Sequence, residues 1–336
     1  MIRLIHTILL MLACNFLQSQ TIHFSQIFSA SMITNPANCG NFEGDWRFTD
    51  LIRSQGNNFT DPYKTNLISF DKHFRINNQQ INSSIYFAND LSAQNTLMIN
   101  QFFFTGGYQT SITTKSFLLF GLQAGYVLKN SSLSGLTLPE QFDMSSGQFN
   151  SGLPYSENFT FSNSGYLDFA SGVIWKYKHE KFETEIGAAV FQLNKPRENF
   201  MNNSNELQPK YVIHGSFGKK IKGVIYLKPQ FCYTWINHSS ELIAGSNIGY
   251  RLTQKSMKTA LIYLGVYVRT GIARNNDSAI LLTGLELNNW NICFSYDYDI
   301  SGLHSITSRS NAVELSVVYI RPNTFLNNKT IPCDLY

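Results

Sequence analysis

The chain has 336 residues, and 14% of them are charged against 14% aromatic. Typical soluble domains carry roughly 25% charge, yet the mean hydropathy is only −0.14. That mixture excludes three classes. No apolar run of the roughly 18 residues that a membrane helix needs occurs after the first twenty positions. Disordered chains lack the aromatics seen throughout this one. Nucleic-acid binders carry a basic stripe, whereas the net charge of +4 is spread thinly. The one dense cluster, Lys219-Lys220-Ile221-Lys222, reads as a turn between strands.

Residues 1–19 read as a signal peptide. Arg3 and His6 precede the mostly apolar run Leu4 to Leu12, and Gln18-Ser19-Gln20 offers a small residue for cleavage. Leu12, two residues before Cys14, is bulky where a lipidation site prefers a small residue. Residues 20–43 form an arm rich in Ser, Asn and Phe.

From there the dominant period is two. Strands are expected to start near positions 44, 63, 79, 97, 117, 164, 182, 210, 223, 240, 259, 278, 290 and 311. In 260–270, Ile262, Leu264, Val266 and Val268 share one face, opposite Tyr263, Gly265, Tyr267 and Arg269. In 290–300, Ile292, Phe294, Tyr296, Tyr298 and Ile300 oppose Cys293, Ser295, Asp297 and Asp299. Segments 117–128 and 223–235 divide the same way, because alternate strand positions point to opposite faces.

Many segments reach ten residues, longer than the roughly five or six of soluble strands. They suit a bilayer-crossing strand of about 9–11 residues. Aromatics such as Trp175, Tyr177, Tyr233 and Trp235 gather near segment ends, as girdles at two interfaces require. The expected fold is all-β: a transmembrane antiparallel β-barrel of about fourteen strands over residues 44–320. A periplasmic tail covers 321–336. Residues 129–163 form a long Ser/Gly/Asn loop, a cap or lumen plug, and 195–209 a shorter polar loop.

Chemistry-bearing patterns are sparse. The seven histidines are scattered, no Cys-x-x-Cys occurs, and no P-loop or Gly-x-Ser-x-Gly elbow is present, so neither metal nor cofactor is expected. Ser69-Phe70-Asp71-Lys72 fits Ser-x-x-Lys without any supporting motif. Asp297 and Asp299 share a strand face, as do Glu183 and Glu185. The Asp pair reads as lumen-facing, paired with Arg269 or another inward cation, rather than as an acid–base pair or calcium site.

A family resemblance covers the mature chain. It starts at Phe24-Ser25-Gln26 and Asn35-Pro36-Ala37 with Gly40, and continues through Arg53, Gln55, Pro62, Thr65, Ser69 and Asp71. It returns at Asn194, Pro196, Pro209, Tyr211 and Arg269. It is strong again in the block from Phe294 to Leu303 and in Val313-Glu314-Leu315-Ser316-Val317-Val318-Tyr319, followed by Pro332-Cys333. These blocks resemble the PorP/SprF family of outer-membrane proteins of the type IX secretion system. The chain departs from the family pattern at Asn38-Cys39, Gly56 and Asp334.

The resemblance implies a non-enzymatic, integral outer-membrane protein that works with the type IX machinery. It implies support for export or surface anchoring of large secreted proteins, such as gliding adhesins, with a type B C-terminal signal. It also implies a periplasmic peptidoglycan-binding lipoprotein as partner. Phe24, Gln26, Asn35, Pro36, Tyr296, Asp297 and Asp299 are the candidate docking or structural residues. Fourteen strands place both termini on the periplasmic side, where disulfides form, so a Cys39–Cys333 bridge is expected. The competing reading is an outer-membrane diffusion channel for small solutes.

Overall fold

The computed structural model describes residues 22, 24–56, 62–76, 79–92, 96–131, 139–150, 152–154, 163–200, 203–221, 224–237, 239–253, 259–271, 276–301 and 311–322. Fourteen long strands form the wall. In chain order they are β1 (Trp46–Gln55), β2 (Tyr63–Ile76), β3 (Gln79–Leu91), β4 (Leu97–Ser111), β5 (Ser116–Ser131), β8 (Asn163–Lys178), β9 (Phe182–Phe191), β12 (Lys210–Ile221), β13 (Ile225–Ile236), β14 (Ser239–Thr253), β15 (Thr259–Thr270), β16 (Asn276–Leu287), β17 (Trp290–Asp299) and β18 (Ala312–Arg321). Two small hairpins interrupt them: β6 (Phe142–Asp143) with β7 (Gln148–Phe149), and β10 (Arg197–Phe200) with β11 (Asn203–Glu206).

Each wall strand pairs antiparallel with its chain neighbour, and β1 closes on β18 from Trp46↔Arg321 to Gln55↔Ala312. Closure leaves no edge and satisfies backbone groups within lipid. Every wall strand starts within two residues of its expected position. The two hairpins were not expected; their strands are two or four residues long and carry no apolar alternation that would signal a sheet with one buried face.

Side-chain parity is as expected. Leu264, Val266 and Phe294 project outward, each about half exposed, while Tyr267, Arg269, Ser295 and Asp297 are buried inside. Outward aromatics form clusters near both ends. Trp46 packs on Phe70 and Tyr319 at one end, and Tyr211 stacks on Trp235 at the other. No helix among the described residues is long and apolar enough to cross a membrane.

The two barrel ends differ. At one end short turns join the strands, such as 112–115, 179–181 and 288–289, and the chain enters and leaves the wall there. The other end carries the long connections 132–162, 192–209 and 300–311. The amino-terminal arm, not expected there, occupies the lumen, while the 129–163 loop was expected to cap or plug it. That loop's described residues, including the β6–β7 hairpin, are mostly exposed. From the short-turn rim at residue 45, the arm doubles back up the lumen to Ile22. It includes a helical turn over Ser31–Thr34 and a 3-10 turn over Pro36–Asn38.

Candidate functional site

The arm is held like a bound peptide at three levels. The upper anchor is near the long-loop end. Glu314 on β18 accepts from two consecutive main-chain amides, Ser25 N at 2.7 Å and Gln26 N at 2.9 Å. The Gln26 amide is saturated. Its Nε2 donates to Ser295 Oγ at 3.1 Å, and its Oε1 accepts from Ser316 Oγ at 2.6 Å. Arg53 on β1 pairs with Glu314 and with Asp297 on β17, the latter at 3.0 Å. Arg269 on β15 reaches Asp297 at 3.0 Å, and the Ser25 hydroxyl lies between these groups, bonded to Asp297, Arg53 and Arg269.

These four charged side chains are each less than 5% exposed. Two cations offset two carboxylates. A buried cluster of this kind adds little net stability, but losing one member strands an uncompensated charge. Four strands and the arm therefore depend on one another here, and the anchor spans the β1–β18 seam.

At the middle level Asn35 is wholly buried against β8, β9 and β12. Its Nδ2 lies 3.2 Å from both Val173 O and Ala188 O and 3.0 Å from His214 Nε2. Its Oδ1 caps the following turn by accepting from Ala37 N at 2.9 Å. Close approach is possible because the wall has glycine where the arm presses on it. A Cβ on Gly121 would meet the Pro36–Ala37 backbone, and one on Gly172 would overlap the Asn35 amide. Ala37 packs on Leu119 and Ile174 below.

At the lower level Cys39 donates weakly to Thr105 O at 3.7 Å, and Asn82 Nδ2 donates to Cys39 O at 3.1 Å. Gly40, at φ +76°, turns the chain so that its N–H reaches Asp71 at 3.2 Å. Arg47 forks onto the same carboxylate at 2.9 and 2.8 Å. At the rim Glu43 is bound by Lys178, whose hydrogen bond holds its carboxyl below the usual carboxylate range.

Most of the expected site residues meet in this assembly. Phe24, Gln26, Asn35 and Pro36 are buried in the arm, and Asp297 anchors it. Asp297 pairs with two inward cations, Arg269, which the sequence named alongside any other inward cation, and Arg53. Two expected residues stand apart. Tyr296 faces outward, with its hydroxyl accepting from Asn311, and Asp299 accepts from Ser301 N in the turn that follows β17. Cys39 is a free buried thiol; Cys333, its expected partner, lies outside the described residues. His214 and the glycines under the arm were not singled out in the sequence. A glycine on the lumen face of three successive strands (Gly121, Gly172 and Gly187) is the signal that points to them.

Above the arm, the β10–β11 hairpin closes over it. Glu198 pairs with Lys129 at 2.7 Å with both side chains under 10% exposed, and Leu207 packs on the cluster holding Ile22 and Phe24. Below, the arm fills only part of the lumen. A cavity of about 560 Å³ lies beside the arm toward the short turns, lined by Tyr226, Lys228, Arg251, Tyr263 and Glu286 among others. Among the described residues no group of His, Cys, Asp and Glu is placed to hold a metal ion.

A closed antiparallel barrel with an apolar exterior, filled by its own amino-terminal segment, defines a plugged β-barrel membrane protein. Residues 16–319 match the family model described as type IX secretion system membrane protein PorP/SprF, and the chain belongs to that family. It is thus a membrane component of the type IX secretion system. No curated protein matches the sequence.

Several solved barrels are similar in fold. The toluene transporter TbuX of Ralstonia pickettii is 14% identical, covering 88% of this chain and 94% of that one with a TM-score of 0.49. A deletion mutant of the monoaromatic hydrocarbon channel TodX is 8% identical, covering 86% and 92%, with a TM-score of 0.50. BamA from Haemophilus ducreyi is 9% identical, covering 82% and 70%, with a TM-score of 0.43. At these identities the likeness concerns the barrel fold alone.

Proposed function

We propose that this protein is an outer-membrane adaptor of the type IX secretion system, exported by the signal peptide over residues 1–19. It supports export or surface anchoring of large secreted proteins through protein–protein contacts. The short-turn end faces the periplasm and the long-loop end faces outward, the arrangement typical of outer-membrane barrels. The secreted partner carries a type B C-terminal signal, and a peptidoglycan-binding lipoprotein is the periplasmic partner.

The observation that carries this reading is the arm lodged in the lumen. Arm residues from Phe24 to Gly40 are mostly buried in the barrel and anchored to at least six of its strands. A diffusion channel needs an open polar path, and here that path is taken by protein.

Deleting the gene and comparing surface and culture-medium proteomes tests the proposal. Selective loss of one very large surface protein makes the barrel a dedicated partner for it. Loss of all type IX cargo makes it a general component. Unchanged secretion, together with steady conductance of the intact protein in planar bilayers, overturns it in favour of the channel.

A further inference from the structure

The short-turn end of the barrel carries exposed cations that form no ion pair among the described residues. Lys115 and Lys181 sit on the tips of the β4–β5 and β8–β9 turns, and Lys220 lies on the lumen side of β12 at the mouth of the cavity. All three are exposed, and none forms an ion pair with a described residue. Deeper in the cavity, Lys228 and Arg251 line the wall and likewise have no ion-pair partner among the described residues.

Carboxylates at this end are partly engaged already. Asp71 is taken by Arg47, Glu43 by Lys178, and Glu183 by the Tyr226 hydroxyl. Glu286 accepts from Asn291 at 3.4 Å and faces Lys228 and Arg251 across the cavity. Glu180 and Asp45 remain. The opposite end mixes both signs, with exposed Glu140, Asp143, Glu206 and Asp277 beside Lys64, Lys195 and Arg197.

The direction of each side chain separates two kinds of basic group. Lys72, Lys219 and Arg321 fall on the outward parity of their strands, level with the aromatics Phe70, Phe217 and Tyr319. Long cations there run along the wall to lipid headgroups. Lys115, Lys181 and Lys220 are on turn tips and the lumen mouth, away from the lipid-facing wall. Beyond them lies a hollow that the arm leaves unfilled, with polar walls and an opening on the same side.

We infer that this mouth docks the acidic surface of a periplasmic protein, with Lys115, Lys181 and Lys220 as its charged rim and the cavity receiving a polar segment of the partner. The inference rests on the type IX reading and adds the chemistry of the contact. Glu180 and Asp45 share this rim, and it is the excess of exposed cations over them that steers a partner of the opposite sign and sets its orientation.

Two neutralised variants of the full-length protein in the native membrane test it. One carries Lys115→Gln, Lys181→Gln and Lys220→Gln; the other carries Lys72→Gln, Lys219→Gln and Arg321→Gln. A photocrosslinker is placed at Thr114 or Glu180 in each. The expected result is a crosslink to one acidic periplasmic protein whose yield drops about tenfold in the first variant, as three exposed ion pairs allow. It is unchanged in the second.

Crosslinks to phospholipid alone, lost in the second variant, would assign the basic end to the membrane and overturn the inference. So would a protein crosslink indifferent to both variants. Secretion measured in the gene-deletion strain judges the type IX reading separately. A deletion strain that loses cargo, alongside a charge-indifferent crosslink, sinks the rim and spares the adaptor.

Discussion

The two halves of the lumen use the same inward-facing strand positions in opposite ways. Toward the long loops, Arg53, Arg269, Asp297 and Glu314 are buried and joined through Ser25 and Gln26. Toward the short turns, Lys228, Arg251 and Glu286 border an open cavity of about 560 Å³. Both halves are polar, so polarity of the inner face does not decide whether a barrel is filled. What differs is the presence of a complementary segment. In the upper half the arm brings donors that match the wall's acceptors, and the charges can leave water. In the lower half the arm hugs the β2–β5 and β8–β9 side, and the charges on β13–β16 keep their hydration.

This contrast makes the same kind of substitution costly in one half and mild in the other. Glu314→Ala removes the acceptor of two arm amides and a partner of Arg53. It is expected to cost about 3–5 kcal/mol, as for breaking a buried ion pair, and to lower the temperature at which the folded barrel is lost on a heat-modifiability gel. Parent-like stability would mean that the arm is not clamped there.

Gly172→Val puts a side chain where the Asn35 amide sits. Overpacking of this order costs about 1–3 kcal/mol, and expelling the arm is the easier relief. The expected outcome is a barrel that still inserts, with an arm newly cut by proteinase K and steady conductance in planar bilayers. An uncut arm in a well-folded variant would break the comparison.

His214→Leu leaves Asn35 Nδ2 with two carbonyls and no ring nitrogen. A loss of about 1 kcal/mol is expected, measured in the same way. The smallest effect belongs to the hollow half. Tyr226→Phe removes the hydroxyl that donates to Glu183 at 2.8 Å, yet water replaces it, and stability is expected to hold within about 0.5 kcal/mol. A large loss there would mean that the lower cavity is as tightly coupled as the upper anchor.

Much of this molecule was legible before its fold was seen. The strand starts and the inward set on β15 and β17 follow from period two; the period pairs Asp297 with an inward cation without choosing between Arg269 and another, and the structure supplies both Arg269 and Arg53. The arm was visible as a separate segment, and its Phe24-Ser25-Gln26 and Asn35-Pro36-Ala37 blocks stood out. Its place inside the wall was not. An arm with few charges and some apolar residues reads the same whether it lies in a lumen or on a surface, because its partners lie in distant strands. Tyr296 enters the candidate set with the family-matched block from Phe294 to Leu303, although period two already puts it on the face opposite Asp297, where the structure has it. The short hairpins escaped notice because hydrogen bonds across a loop leave no periodic trace.

The sequence by itself determined the wall. Alternation along each strand sets which residues meet lipid and which meet the lumen, and strand length sets the crossing. These are local properties of the extended backbone and need no knowledge of the partner strand. Only the tertiary structure decided the filling. Ser25 meets Glu314 across 289 positions of sequence, and that meeting exists only once β1 closes on β18 with the arm turned back inside. Closure is a property of the whole sheet. It alone brings Arg53, Arg269, Asp297 and Glu314 within reach of one segment, and leaves a cavity beside that segment toward the short turns.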